Sequence, residues 1–300
     1  MKNFSLWISA MRLRTLPLSV SGIILASFLA EYNGYFAWNI FILAFLTTIS
    51  FQILSNLAND YGDGIKGTDN QDRIGPERAI QSGKITPESM YDAIKTSVLI
   101  SIILATLLIF SAFRARHFFL ALIFFILGIG SIVAAMRYTV GNNAYGYKGL
   151  GDVFVFIFFG LVSVIGCYVL YAKQIDHVTI LPAITIGLLS VAVLNLNNMR
   201  DIESDKRSNK MTLALKLGEN NMKIYHFSLI ISAIICASLF GVLYYTSPLN
   251  LLFIVTFIPL VFHLIKVKRN KELKLLDPEL KKVALTTFFM AFLMGIGHLL

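Results

Sequence analysis

The sequence predicts an all-α, polytopic membrane bundle of about nine transmembrane helices, with two pseudo-repeated halves around a central cavity. Hydrophobic residues make up 56% of the 300 residues and charged residues only 14%, against roughly 25% charged in soluble domains. The apolar residues fall in long runs, as crossing a bilayer needs about 20 such residues per helix. Two polar clusters of related spacing, LSNLANDYGD and LNLNNMRDIESD, end the second and sixth runs. Four helices separate them, so both leave the membrane on the same side.

The runs cover residues 16–30, 39–58, 90–111, 117–136, 153–171, 178–198, 224–246, 249–266 and 283–299. The first is the shortest and lacks a small-residue cleavage site, so it reads as part of the mature chain. The connections after the odd-numbered runs are short: 31–38, 112–116, 172–177 and 247–248. Those after the even-numbered runs are longer: 59–89, 137–152, 199–223 and 267–282. A helical hairpin turns in a few residues, so the longer connections concentrate functional material on one face. No linker divides the chain, and residues 1–300 read as a single membrane domain.

Basic residues set the orientation. With the N-terminus inside, 22 of the 26 lysines and arginines lie at the cytoplasmic side; Arg114, Arg116 and Lys173 lie outside and Lys95 within the third helix. The positive-inside rule therefore places the chain in a cell membrane with both polar clusters facing the cytoplasm. The net charge of +9 suits an anionic leaflet and needs no nucleic-acid partner. The basic stretch KVKRNKELKLLDPELKK reads as a solvated connection touching anionic lipid. Cys167 and Cys236 sit inside apolar runs without a Cys-x-x-Cys partner and read as small core residues. His117, His177, His226, His263 and His298 are scattered without metal-ligand spacing.

The polar clusters carry the chemistry. Residues three or four apart share a helix face, so Asn56, Asp60 and Asp63 form one oxygen-rich stripe and Asn197, Asp201 and Asp205 another. Carboxylates gathered this closely repel unless a cation lies between them. Mg²⁺ prefers oxygen ligands and commonly shares them with substrate phosphates; Mn²⁺ would fit similar oxygens. In the first connection Asp69 can return toward the stripe, and Arg73, Arg78 and Lys84 offer contacts to diphosphate oxygens. In the second, Arg200, Lys206, Arg207 and Lys210 flank the aspartates. Between the fourth and fifth runs, R137–D152 is rich in glycine and tyrosine and carries Lys148, which can meet phosphate.

Two opposed acidic stripes beside a membrane cavity suit ionisation of a prenyl diphosphate. Mg²⁺ would neutralise the leaving diphosphate as the C–O bond breaks. Apolar and aromatic walls would keep water from the allylic cation until an aromatic acceptor captures it.

At these residues the chain resembles the UbiA-like intramembrane aromatic prenyltransferase superfamily, whose members have nine helices and aspartate-rich motifs after helices two and six. The resemblance rests on RTLPLS (14–19), NLANDYGDGIKGTDN (56–70), GPERAIQSG (75–83), YGYKGLGDVFVFIFFG (145–160) and NNMRDIESDKRSNKMTLALKLG (197–218). Within the superfamily these runs are most similar to the branch that prenylates 1,4-dihydroxy-2-naphthoate in menaquinone biosynthesis. The resemblance implies that Asn56, Asp60, Asp63, Asp201 and Asp205 hold Mg²⁺ and polyprenyl diphosphate. It adds Arg14 and Lys210 as diphosphate contacts. Asp69 stands six residues after Asp63, where the family spacing is four. Some members carry a tyrosine with lysine four residues later after helix four; here Tyr138 fits, position 142 is Asn142, and Lys148 is assigned the basic role.

The implied reaction transfers the polyprenyl group with loss of carboxylate and diphosphate, giving demethylmenaquinone; no general base is assigned. Other acceptors of the same superfamily are 4-hydroxybenzoate, homogentisate and haem. A transporter also places carboxylates in helical repeats, but near the bilayer midplane, whereas these lie at its edge. A non-catalytic lipid-binding protein does not need two mirrored ligand stripes.

Overall fold

The computed structural model describes residues 2–68, 77–114 and 116–300, without the side chains of Lys2 and Asn3. Among the described residues, nine helical spans are long and apolar enough to cross a membrane. They are Phe4–Tyr32, Trp38–Ile65, Pro87–Phe113, Phe118–Arg137, Gly151–Ala172, His177–Arg200, Leu213–Leu243, Pro248–Arg269 and Leu273–Leu299. Every expected run is present, and several extend further than apolar composition alone foretells. The second continues through Asp60 and Asp63 to Ile65, and the seventh starts at Leu213 rather than 224. The polar turn of the second span is helical with Asn56, Asp60 and Asp63 buried, whereas the start of the seventh carries exposed polar residues and a kink at Gly218 (φ +75°).

Local chemistry fixes the boundaries. The third span starts with Thr86 as N-cap, accepting from the Ser89 amide at 3.2 Å, followed by Pro87; the cap supplies an acceptor where the helix has none. Thr212 caps the seventh in the same way. The first span contains an unexpected element: Lys2–Met11 forms its own helix before a bend at Arg12, whose φ of +49° is left-handed. Thr15 Oγ1 donates to the Arg12 carbonyl across that bend at 2.9 Å. Two further spans carry long stretches that are not α-helix. The fifth has a π-helical stretch over Phe156–Gly166, and the eighth begins as the 3-10 helix Pro248–Thr256.

The sixth span forms the axis of the bundle, with 61% of its apolar window buried, whereas the fourth has 11% and faces outward. Close approach of the fifth and sixth spans needs the absence of side chains. A Cβ at Gly160 would lie 2.7 Å from both the Ala183 carbonyl oxygen and Gly187 Cα, the small-residue packing that membrane helices use. The seventh to ninth spans share a buried polar network that the scattered histidines did not foretell. His226 Nε2 lies 2.7 Å from His263 Nε2, and His263 Nδ1 lies 2.7 Å from Glu279 Oε2. Lys266 and Lys282 hold the other Glu279 oxygen at 2.9 Å. Partners spread over three helices pair groups that would be costly alone in the membrane, leaving His226 Nδ1 buried without a hydrogen bond.

Candidate functional site at the motif end of the bundle

The last turns of the second span place Asn56, Asp60 and Asp63 on one face, all buried. Their side chains have different tasks. Asn56 donates to the Met11 carbonyl at 2.9 Å and to Thr15 Oγ1 at 3.2 Å, so it pins the bend of the first span. Asp60 accepts from the backbone amides of Ala79 at 3.1 Å and Ile80 at 3.4 Å, holding the return of the first connection. Asp63 turns to the centre, where its Oδ1 accepts from Tyr147 at 2.8 Å and its Oδ2 from Lys210 at 3.4 Å. A Cβ at Gly62 would lie 2.4 Å from Thr139 Oγ1; glycine there lets the connection after the fourth span lie against the motif.

The second motif is not one continuous helical stripe as expected. The sixth span ends at Arg200, Asp201 has φ −94° and ψ 9°, and a short helix, Ile202–Arg207, follows. Arg200 supplies a reason for the break. Its Nε and Nη2 donate to the two Asp201 oxygens at 2.7 and 2.6 Å, Nη2 also to Asn197 Oδ1 at 2.9 Å, and Nη1 to Asp277 Oδ1 at 2.5 Å. The planar fork fits carboxylates bidentately and ties the sixth span to the start of the ninth. Further on, left-handed Asn209 (φ +54°) reverses the chain, a conformation asparagine tolerates. That reversal returns Lys210 to the site, 3.4 Å from Asp63 and 4.0 Å from Asp205. One ammonium thus joins carboxylates of both motifs.

A tyrosine layer covers this pair. Tyr147 has Lys66 Nζ 4.1 Å and Lys210 Nζ 5.4 Å from its ring centroid, a cation–π arrangement, and its hydroxyl also meets Thr68 Oγ1 at 2.5 Å. Lys66 Nζ donates to the carbonyls of Thr139 and Gly141 at 2.7 and 2.9 Å. Burial pushes the Tyr138 hydroxyl up to about 12, and burial with the nearby Asp63 charge pushes Tyr147 up as well. Burial would depress Lys210, but Asp63 and Asp205 outweigh it and its pKa rises. Lys66, with burial dominant, falls.

The expected site residues distribute unevenly. Asp63, Asp205, Lys210 and Tyr138 share one electrostatic neighbourhood, while Asp201 and Asn197 meet on Arg200. Arg14 is exposed and lines, with Asp60, Arg12, Arg78 and Lys84, a cavity of about 420 Å³. Lys148 is not brought to the carboxylates: it is exposed and donates to Asn143 at 3.1 Å, while Tyr147 beside it turns inward. Asp69 and Arg73 lie outside the described residues. Sequence reasoning missed Lys66, Tyr147 and Asp277. Tyr147 and Lys66 lie in runs already singled out, but Asp277 carried no signal, being 77 residues from Arg200.

The donor set fits a hard divalent cation. It consists of oxygens, and Asp63 and Asp205 already converge on positive charge. Among the described residues no three histidine, cysteine, aspartate or glutamate side chains are gathered closely enough to hold a metal ion. Lys210 and Arg200 balance the carboxylates.

An apolar helical bundle whose two motif-bearing halves draw aspartates together at one end has the architecture of a membrane-embedded prenyltransferase. Residues 20–293 match the UbiA prenyltransferase family, and the chain belongs to it. It is 41% identical over 293 residues to the 1,4-dihydroxy-2-naphthoate octaprenyltransferase of Escherichia coli (strain K12), covering 97% of this chain and 94% of that protein. A Haemophilus influenzae protein of the same name is 40% identical, covering 100% of this chain and 97% of the relative. Among solved structures, the apo UbiA homolog from Aeropyrum pernix K1 has a TM-score of 0.66 at 14% identity, covering 95% of each chain. The UbiA homolog from Archaeoglobus fulgidus bound to GPP and Mg²⁺ has a TM-score of 0.64 at 12% identity, covering 95% of this chain and 99% of that one. Both likenesses establish the fold.

Proposed function

We propose that this protein transfers a polyprenyl group from polyprenyl diphosphate to 1,4-dihydroxy-2-naphthoate with loss of CO₂, giving the quinol form of demethylmenaquinone. It would act as a multi-pass protein of the inner cell membrane with its motifs at the cytoplasmic face. The observation that carries the reading is the meeting of Asp63 and Asp205, one from each motif, on Lys210 beneath Tyr147. The names of the relatives in Escherichia coli and Haemophilus influenzae support the acceptor.

Asp60, Asp63, Asp201 and Asp205 would hold Mg²⁺, with Asp69 a further candidate. Bound there, the ion supplies Lewis-acid stabilisation of the leaving diphosphate. Lys210 neutralises the carboxylates and offers hydrogen bonds to phosphate oxygens, Arg14 and Arg78 provide further positive charge at the same end, and Arg73, outside the described residues, is a further candidate contact. The tyrosine layer and apolar spans exclude water from the allylic centre. Tyr138 and Tyr145, with ring centroids 5.4 Å apart, and Phe154, stacked 3.9 Å from Tyr145, form an aromatic wall beside the mouth.

The test is an acceptor panel. Purified protein with Mg²⁺ and a polyprenyl diphosphate is expected to prenylate dihydroxynaphthoate, read by mass spectrometry, in preference to 4-hydroxybenzoate and homogentisate. Product with another acceptor and none with dihydroxynaphthoate would overturn the acceptor. Absence of diphosphate release with every acceptor would overturn the prenyl-transfer reading.

A further inference from the structure

The deepest carboxylate near the site outside both motifs is Asp152, and nothing above uses it. It opens the fifth span and is 6% exposed. Its Oδ2 accepts from the Tyr225 hydroxyl of the seventh span at 3.0 Å. Among the described residues its other oxygen has no side-chain donor, and no lysine or arginine forms an ion pair with it. A buried carboxylate without a cation is costly. Asp152 lies in the first turn of the helix Gly151–Val155, where free backbone N–H groups favour a carboxylate, so the charge is held there without a cation.

Tyr138 connects Asp152 to the motif carboxylates. A Cβ on the adjacent Gly151 would lie 3.1 Å from Tyr138 Cε2 and 3.4 Å from its hydroxyl oxygen. The glycine therefore lets the ring lie against the backbone beside Asp152. The same hydroxyl feels the charges of Lys210, Asp63, Asp205 and Asp152, and it makes no hydrogen bond among the described residues. Tyr138 thus lies near both the diphosphate-binding groups and Asp152. An aromatic acceptor needs both: a ring toward the allylic carbon and a hydroxyl toward a base.

Resting on the reading above, we propose that Asp152 takes the hydroxyl proton of the aromatic acceptor as the carbon–carbon bond forms. The ring π electrons form the bond to the allylic carbon as its bond to diphosphate oxygen breaks. The acceptor O–H pair becomes the carbonyl π bond, and the proton moves to Asp152. The neighbouring carboxylate leaves as CO₂, its bonding pair generating an enolate, which takes the proton back. Asp152 ends ionised, and no net proton is released by the acceptor.

The test compares the full-length wild type with Asp152→Asn and Tyr225→Phe in detergent or proteoliposomes. It measures prenylated product, prenyl alcohol, and Mg²⁺-dependent binding of a fluorescent prenyl diphosphate. Asp152→Asn is expected to lower transfer at least about 100-fold, the lower end of general-base contributions. Its donor affinity should stay within about twofold of wild type on this local assignment, with the ratio of prenyl alcohol to product rising. Tyr225→Phe, which keeps the carboxylate, should lose much less transfer. Near-normal transfer by Asp152→Asn, parallel loss of donor binding, or equal loss in Tyr225→Phe would each overturn the assignment while the wild type's turnover upholds the parent reaction. Failure of the wild type to prenylate any aromatic acceptor would overturn both.

Discussion

At the end of the second span the helix runs unbroken through Asn56, Asp60 and Asp63, whereas the sixth breaks at Asp201. In the first motif Asp60 accepts from two backbone amides and lines a cavity with Arg12, Arg14, Arg78 and Lys84, and Asp63 meets a tyrosine and a lysine. In the second, Asp201 is gripped by a buried guanidinium that also reaches the ninth span. The two aspartate stripes have related spacings but are held by different parts of the chain. The first is arranged by the connection that folds over it, the second by a cation within its own helix. Lys210 is where they meet, following one motif in sequence and bonding the other in space.

The strongest way to break this comparison is to remove one carboxylate from each side. Asp60→Ala and Asp201→Ala are each expected to lower turnover by at least about 10²–10³-fold, the scale for losing a group that stabilises developing charge. Product formation with folding checked by monodispersity measures it. A near-normal rate in either would mean that its stripe is not part of the reacting site.

Lys210→Met removes the shared cation and leaves Asp63 and Asp205 buried without it. Such breakage costs about 3–5 kcal/mol, seen as a lower thermal midpoint, and added Mg²⁺ should recover part of the loss because it binds only the folded site. No recovery would argue that the carboxylates do not share a metal position. A smaller effect belongs to Asp277→Asn. That side chain is 45% exposed, so its pair with Arg200 contributes at most about 1 kcal/mol. Mg²⁺ affinity should weaken modestly, since Arg200 then keeps only Asp201 as a carboxylate partner beside Asn197; titration against the wild type measures it.

The smallest effect separates the two lysines over Tyr147. Lys210 has a folded pKa raised above the unfolded value of about 10.4. Its contribution is therefore complete below that value and is lost only as pH rises through the folded one. Lys66 is depressed, so the unfolded chain binds more protons between its folded pKa and about 10.4. Stability attributable to Lys66 rises with pH across that window. Lys66→Met should flatten the rise in thermal midpoint, and an unchanged slope would show that Lys66 is not desolvated as described.

Asp60, Asp63, Asp201 and Asp205 were legible in the sequence because carboxylates at the ends of apolar runs are conspicuous and helical spacing groups them. Their side-chain partners were not. Whether Lys148 or Tyr147 turns inward depends on how the 3-10 turn Tyr145–Lys148 is wound and on the close approach at Gly62. Asn56 looked like a ligand by its spacing, yet its amide is committed to the bend of the first span. His226 and His263, 37 residues apart, meet only because the seventh and eighth spans pack together.

The sequence by itself determined the membrane class, the nine runs, the pairing of two motifs at one end and the family they belong to. Each follows from composition or short-range spacing, which a chain carries without folding. Only the tertiary structure decided which cation answers which carboxylate, where the sixth helix breaks, and that Asp152 lies beside Tyr138. Those contacts join residues far apart in the chain, and their energies depend on burial, which exists only once the spans have packed.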